Sequence, residues 1–260
     1  MERHQAIARF LYDAEAEGRE VVRITKDQFP EMTVDDAYQI QRELIKLKLD
    51  QGRKIIGLKM GLTSQAKMNQ MNVHEPIYGY LLDDMLVDDG GQLAIGPLIH
   101  PRAEAEIAFI LGEDIAGPGV SAAQVMAATK YVLPALEIID SRYENFNFTL
   151  PDVIADNASS SRLVLGSTLT PPDAQELDLA GTTLWINGEL KDLGAGAAVL
   201  GHPANAIARL ANMLARSGEK LKAGQVILSG AITGAISIKE GDFVQVKISG
   251  LGEVSVNVTK

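Results

Sequence analysis

The sequence predicts an α+β fold in which a small helical region at the N-terminus packs on a β-rich roll or sandwich. Apolar residues recur at helical spacing in the first part of the chain, whereas most of the chain after the Asp88–Gly91 turn consists of short β segments separated by glycines. No linker is long enough to separate independent domains. We therefore predict an N-terminal α/β region, residues 1–80, packed on a β-roll domain, residues 81–260.

The N-terminal region should contain two amphipathic helices. The first spans about residues 3–17, with its apolar residues on one face. The second begins at Thr33 with a near capping box and acidic residues in its first turn, and it ends at Gly52. The other elements expected here are strands at residues 54–60 and 77–82 and a brief helix from Ser64 to Met71.

The remainder should consist mainly of short strands, interrupted by two helices that run from Ser121 to Lys130 and from Pro203 to about Ser217. Asn187–Gly188 is the best hairpin turn in the chain. The glycine-rich segment Gly194–Gly201 lacks the spacing of a nucleotide-binding loop, so it is either a backbone-packing loop or a substrate cradle. The strands are expected near residues 92–95, 103–111, 131–139, 163–169, 182–187, 225–229, 235–238, 243–248 and 253–258.

The composition excludes several classes of protein and site. The 260 residues include no cysteine, which rules out disulfides, thiolate metal sites and cysteine nucleophiles. A net charge of -10 argues against nucleic acid or an anionic membrane as the partner. The charged N-terminus does not resemble a secretory signal and no stretch approaches a membrane span, so we predict a cytoplasmic protein.

Histidine chemistry is not expected either. The four histidines show no spacing typical of zinc ligands, and no nucleophile elbow suggests Ser-His-Asp catalysis. His202 should instead cap the helix that begins at Pro203.

Three glutamates are candidate metal ligands. Glu104 and Glu106 alternate with apolar residues in a predicted strand, so their side chains should lie on the same face. For that pair alone, two ordinary glutamates on a solvated strand face would be the more common explanation. Glu137, however, is a single acid within an apolar strand, where an unpaired ionised carboxylate would be costly. Three carboxylates on two neighbouring strands would provide oxygen ligands for a hard divalent ion.

A lysine and a polar loop are candidates for substrate contact. Lys59 lies in an apolar strand and is flanked by Gly57 and Gly61, which permit close approach of a ligand. Its ammonium must either reach solvent or meet an anion. The segment Ile154–Arg162 is rich in small hydrogen-bonding side chains, and it is either a turn that satisfies its own polar groups or a carboxylate cradle.

Six segments together resemble a known family. Taken in order, they are similar to the 2-hydroxypentadienoate hydratase and 4-oxalocrotonate decarboxylase group of the fumarylacetoacetate hydrolase superfamily, and the resemblance runs from about residue 20 to the C-terminus. The segments are Gly57–Ser64, Pro76–Gly79, Glu104–Glu106, Glu137–Arg142, Asp156–Ser160 and Gly230–Gly234.

The resemblance implies a fold and a site. The fold would be the mixed β-roll of the fumarylacetoacetate hydrolase C-terminal type, with the small helical region at its N-terminus. A Mg²⁺ or Mn²⁺ ion would be held by the family's acidic triad, and Lys59 would occupy the position of the active-site lysine. Asn157 and Ser160 are the residues of the seryl loop that we predict to contact substrate. The positions of the triad in this chain are Glu104, Glu106 and Glu137.

The resemblance also implies an activity. Residues Ala66–Met68, Gln70–Met71 and Pro76–Tyr80 look more like the decarboxylase than the hydratase. The expected reaction is decarboxylation of 2-oxo-3-hexenedioate (4-oxalocrotonate) to 2-hydroxy-2,4-pentadienoate and CO₂ in meta-cleavage of aromatic compounds. The alternatives are 2-hydroxypenta-2,4-dienoate hydratase, a carbon-carbon hydrolase, and a non-catalytic scaffold subunit of the hydratase complex. A homo-oligomer and a complex with the hydratase are the expected partners.

Overall fold

The computed structural model describes residues 1–64, 68–69 and 75–260. No helix within these residues is long and apolar enough to cross a membrane. The helices are α1 (Glu2–Ala16), α2 (Ile24–Asp27), α3 (Val34–Asp50), α4 (Ala122–Ala128), α5 (Leu150–Ala155) and α6 (Pro203–Leu214). The strands are β1 (Ile55–Gly61), β2 (Ile77–Leu82), β3 (Leu86–Val87), β4 (Gln92–Ala94), β5 (Arg102–Leu111), β6 (Thr129–Ile139), β7 (Ser160–Leu165), β8 (Gly181–Ile186), β9 (Glu189–Ala195), β10 (Val226–Leu228), β11 (Ile236–Ser237), β12 (Phe243–Ile248) and β13 (Gly252–Thr259).

The N-terminal helices form a small apolar cluster of their own. α1 packs on α3, and α3 packs on α5. The predicted capping box of α3 is confirmed, because Thr33 Oγ1 accepts the Asp36 N–H at 3.1 Å and the Asp36 carboxylate accepts the Thr33 N–H at 3.0 Å. The buried side chain of Gln41 donates to the carbonyl oxygens of Tyr78 and Ile154, at 2.9 and 3.1 Å. These bonds fix α3 against strand β2.

The larger sheet has eight strands among the described residues, in the order β2-β1-β10-β5-β6-β7-β3, with β11 paired to β5. β5 and β6 run antiparallel over their whole length, and most of their residues are buried. The sheet includes β1 and β2 from the predicted N-terminal region as well as later strands, and the predicted division at residue 80 stays a prediction.

The smaller sheet has the order β4-β13-β12-β8-β9 in the described part of the chain. The predicted hairpin is confirmed: Asn187 and Gly188 connect β8 to β9 with φ angles of 54° and 78°, as a type I′ turn requires. The apolar faces of the two sheets belong to one core, in which Ile107 and Leu136 of the larger sheet lie with Val246 of the smaller one. The mixed α+β roll predicted from the sequence is therefore confirmed.

Two predicted boundaries were wrong, because strand pairing overrides the local sequence pattern. The helix expected from Ser121 to Lys130 ends at Ala128, because Thr129 already pairs with Leu111 as the first residue of β6. The strand expected at residues 163–169 begins earlier and ends at Leu165, where its pairing with β6 ends. The helix predicted from Pro203 to about Ser217 is confirmed, since it is α-helical to Leu214 and continues as a 3₁₀ turn from Ala215 to Ser217.

Short elements were missed in the sequence. They are α2, α5, β3 and β9, which are too short or too polar to show a clear period. The brief helix predicted to begin at Ser64 lies largely outside the described residues. The caps predicted at Ser121 and His202 are present, since these side chains accept the N–H groups of Gln124 and Ala204.

The Gly194–Gly201 segment packs closely on backbone. A Cβ on Gly196 would lie 1.9 Å from the carbonyl oxygen of Leu177, and one on Gly194 would lie 2.7 Å from that of Ile232. Contact of this segment with substrate stays a prediction.

Gly57 should be essential for joining β1 to β10. A Cβ at this position would lie 1.8 Å from the carbonyl oxygen of Val226, which is backbone and cannot turn aside. We expect Gly57→Ala to reduce the free energy of unfolding by about 3 kcal/mol. Denaturant unfolding measures the change.

Gly181→Ala is the matched control, because a Cβ on this strand glycine would have no heavy atom within 4 Å beyond its chain neighbours. It should change stability by less than about 1 kcal/mol. Equal losses in the two variants would contradict the close packing of β1 on β10.

Candidate active site

The three candidate ligands meet on one face of the larger sheet. Glu104 and Glu106 are two residues apart on β5, and Glu137 of β6 is the direct partner of Glu104 in the antiparallel register. One carboxylate oxygen from each residue lies within 4.8 Å of the other two. Glu104 is 7% exposed, and the other two are fully buried. The alternative of a solvated strand face is therefore wrong.

Lys59 faces the same cluster. In-register partners point to the same side of a sheet, and Lys59 pairs with Leu228, which pairs with Ala108 on the glutamate face of β5. Its Nζ lies 3.0 Å from Glu137 Oε2 and donates to the carbonyl oxygen of Ala158 at 3.2 Å. Lys59 is only 3% exposed, so the alternative that it reaches solvent is wrong.

Burial and repulsion between like charges disfavour the ionised form of the glutamates in the cluster. Desolvation and the charge of Glu137 raise the pKa of Glu106 well above its usual value, and Lys59 opposes this shift. Desolvation also raises the pKa of Glu137, with Lys59 again opposing it. Burial by itself lowers the pKa of Lys59, but the negative charges of the glutamates outweigh burial and raise the pKa, so the ammonium stays protonated.

The cluster retains carboxylate oxygens that need a partner. Glu106 Oε2 accepts the N–H of Gly230 at 2.7 Å, whereas Glu106 Oε1 and Glu137 Oε1 accept no hydrogen bond from the described residues. A buried ionised carboxylate without partners is costly. Oxygen ligands of this kind fit a hard divalent cation, so the residues present match the metal site that the sequence predicts.

The Gly230–Gly234 segment follows β10 and contacts β5, the strand that carries Glu104 and Glu106. Gly230 has φ of 110°, and a Cβ there would lie 2.1 Å from Oγ1 of Thr63. Thr233 Oγ1 accepts the N–H of Ala105 at 3.1 Å. From the sequence this segment is known only as part of the family resemblance, and its contacts are not predicted, because the glycine pattern alone does not indicate which backbone approaches it.

The predicted seryl loop follows α5 and lies beside β2. The Asn157 side chain accepts the Tyr80 N–H at 2.8 Å and donates to the Tyr80 carbonyl oxygen at 2.9 Å. Ser160 is buried at the start of β7, with its Oγ 3.8 Å from the sulfur of Met85. Substrate contact by Asn157 and Ser160 stays a prediction.

An ion pair missed in the sequence anchors the beginning of this loop. Arg142 Nε donates to Asp156 Oδ1 at 2.5 Å, and Arg142 Nη2 donates to the Asp156 carbonyl oxygen at 2.7 Å. Both residues are almost completely buried, and desolvation raises the pKa of Asp156 to about 7 although Arg142 opposes the shift. The only sequence signal was that both residues fall within segments of the family resemblance.

The chain is similar to known proteins along most of its length. The fumarylacetoacetate (FAA) hydrolase C-terminal family matches residues 55–259. A 4-oxalocrotonate decarboxylase of Pseudomonas putida is 48% identical over 96% of this chain and 94% of its own length. A 2-hydroxyhexa-2,4-dienoate hydratase of Comamonas testosteroni is 41% identical over 96% of this chain and 95% of its own.

A solved structure shows the same fold. The 4-oxalocrotonate decarboxylase from Pseudomonas putida G7, complexed with magnesium and adipate, superposes with a TM-score of 0.96 at 47% identity and covers 99% of this chain and 97% of that one. The chain therefore belongs to the fumarylacetoacetate hydrolase family.

Proposed function

We propose that this chain is a metal-dependent carboxy-lyase that converts 2-oxo-3-hexenedioate to 2-hydroxy-2,4-pentadienoate and CO₂ in meta-cleavage catabolism of aromatic compounds. The observation that carries the proposal is the buried cluster of three glutamates and one lysine, in a chain 48% identical to a 4-oxalocrotonate decarboxylase over 96% of its length. The solved relative bound to magnesium and adipate, a six-carbon dicarboxylate, supports a dicarboxylate substrate.

Glu104, Glu106 and Glu137 would hold Mg²⁺ or Mn²⁺. Their close grouping supports this assignment, and so do the buried oxygens Glu106 Oε1 and Glu137 Oε1, which accept no hydrogen bond from the residues that the structure describes. When bound, the ion supplies Lewis-acid stabilisation of negative charge on the oxygens of the 2-oxo acid.

The substrate needs an electron sink. Loss of the distal carboxylate as CO₂ sends the electrons of the breaking carbon–carbon bond through the double bond to the 2-oxo oxygen, which becomes the 2-hydroxyl group of the product after protonation. Lys59 provides a buried positive charge beside this position, and the neighbouring glutamates keep it protonated. A fixed ammonium in a site of low dielectric stabilises growing negative charge more strongly than water does.

The second candidate function is hydration of 2-hydroxypenta-2,4-dienoate, favoured by the 41% identity to a hydratase. Both reactions develop negative charge on the same kind of 2-oxo acid. The glutamates, through a bound metal ion, and Lys59 could therefore serve either reaction. Purified protein should be given each substrate with Mg²⁺. Release of CO₂ from 2-oxo-3-hexenedioate supports the decarboxylase, turnover of the dienoate alone identifies the hydratase, and turnover of neither favours a scaffold subunit.

The partners remain proposals that extend this activity. Association with a hydratase would suit an enzyme whose unstable product that hydratase consumes, and relatives of both kinds support the idea. A homo-oligomer and a cytoplasmic location stay predictions.

Removal of divalent metal should abolish turnover. The expected result follows from the need to neutralise three buried carboxylates and to stabilise charge on the substrate. Chelation followed by gel filtration gives the metal-free protein, and decarboxylation is then assayed before and after addition of Mg²⁺. Full activity in protein shown by elemental analysis to lack metal would contradict the proposed site.

Glu137→Gln should weaken Mn²⁺ binding by on the order of a hundredfold, because the side chain retains its shape but loses its charge. Isothermal titration of the metal-free protein measures the dissociation constant. Glu240→Gln, at an exposed glutamate in a turn, is the control and should bind Mn²⁺ as wild type does. If the two variants had the same dissociation constant for Mn²⁺, Glu137 would be a buried acid that does not bind the metal.

Lys59→Ala should reduce kcat by on the order of a hundredfold or more, with a smaller change in KM, because its charge acts mainly in the transition state. Steady-state kinetics of decarboxylation measure both constants. Lys130→Ala, at an exposed lysine of the strand that carries Glu137, should leave them unchanged. A raised KM with normal kcat would show that Lys59 only binds the substrate.

A further inference from the structure

Three consecutive residues after α5 adopt an unusual backbone conformation. Asn157, Ala158 and Ser159 have φ angles of 50°, 53° and 56°, in the left-handed region. Residues with a Cβ rarely occupy this region, and alanine has no polar side chain to stabilise it. Such a conformation persists only where surrounding contacts impose it, and it is frequent at functional sites. We refer to these three residues as the left-handed turn.

The contacts that impose this conformation come from β2 and from the buried ion pair. Asn157 uses both ends of its amide on the backbone of Tyr80, at 2.8 and 2.9 Å. Gly79 allows the approach, since a Cβ there would lie 2.5 Å from the carbonyl oxygen of Asn157. At the start of the turn, the Arg142 guanidinium donates to both the carboxylate and the backbone carbonyl oxygen of Asp156.

The left-handed turn points one backbone carbonyl at the candidate active site. Ala158 O accepts a hydrogen bond from Lys59 Nζ at 3.2 Å, in addition to the 3.0 Å ion pair with Glu137. Lys59 and Gly79 are partners in the β1–β2 ladder, so the strand that the Asn157 amide clamps is also the strand that pairs with Lys59. A lysine has four rotatable bonds in its stem, and two fixed acceptors restrict its ammonium to one place.

We propose that Asn157 is a positioning residue that acts through Lys59, by holding the Ala158 carbonyl where it orients the ammonium. Its amide is occupied on both sides by Tyr80, which favours this role over the direct substrate contact expected from the sequence. The inference rests on the proposed function, because it assigns a part in the reaction for which Lys59 is the charged group.

The test is a double-mutant cycle between Asn157→Gly and Lys59→Ala. Glycine adopts positive φ without strain, so the substitution removes the clamp but permits the left-handed turn. We expect Asn157→Gly to reduce kcat by on the order of ten- to a hundredfold in the wild-type background, the scale of a displaced catalytic group, with KM changed less than about threefold. In the Lys59→Ala background it should change kcat by less than about twofold, because the group that it positions is gone.

The matched control is Asn187→Gly in the β8–β9 hairpin. Asn187 is also left-handed, with φ of 54°, and its side chain likewise makes two hydrogen bonds, to Asp242 and to the N–H of Phe243. It lies in the other sheet, so its replacement should affect stability similarly and leave kcat unchanged. Amide hydrogen exchange at Tyr80 in the metal-free protein supplies a readout independent of activity, and it should accelerate only in Asn157→Gly.

Each other outcome overturns the inference. A raised KM and weaker binding of adipate would make Asn157 a substrate-contact residue. Equal losses of kcat in both Lys59 backgrounds, or an unfolded Asn157→Gly protein, would make its role purely structural. Normal kinetics with accelerated exchange at Tyr80 would show that the clamp does not govern Lys59. If the wild-type protein does not decarboxylate the substrate, the proposed function itself is contradicted. Any of the preceding outcomes, obtained with an active wild-type protein, contradicts only the role of Asn157.

Discussion

Burial of three carboxylates on one face of a sheet is the constraint on which the rest of this structure depends. Glu104, Glu106 and Glu137 repel one another and lose hydration, so the fold must provide positive charge beside them. Lys59 provides one such charge at 3.0 Å from Glu137. Glu106 Oε1 and Glu137 Oε1, which have no hydrogen-bond donor within the described part of the chain, are suited to a divalent ion that would provide more. In the proposed reaction, the positive charges that compensate the buried carboxylates would also stabilise an oxyanion on the substrate.

Close backbone approach makes this arrangement possible. Gly57 lets β1 pair with β10, and Gly230 lets the chain after β10 turn past Thr63 and bond Glu106. A side chain at either glycine would separate the strand of Lys59 from the strand of the glutamates. These two glycines therefore serve backbone packing, whereas the charge of the site comes from a few side chains.

The loop between α5 and β7 links the helical region to the site. Asp156, at the start of the loop, forms an ion pair with Arg142, and the Asn157 side chain accepts a hydrogen bond from β2. Gln41 of α3 donates hydrogen bonds to β2 and to α5. The helical region thus supports β2, the edge strand that pairs with the strand of Lys59. An enzyme that uses one lysine as a fixed charge needs such support, because a small displacement weakens the interaction in the transition state.

Only the family resemblance placed Lys59 at the same site as the three glutamates. From its residue patterns the sequence predicted the α+β class, the helix caps at Thr33, Ser121 and His202, the Asn187–Gly188 hairpin and the three glutamates as candidate metal ligands. These features depend on local periodicity, turn chemistry and the cost of a lone buried acid, all of which can be read along the chain. The tertiary structure alone decided the register that sets Glu104 opposite Glu137, the ends of α4 and β7, and the contacts of Asn157 and Arg142. Those outcomes depend on pairing between residues far apart in sequence, and no local pattern specifies which backbone group a side chain will reach.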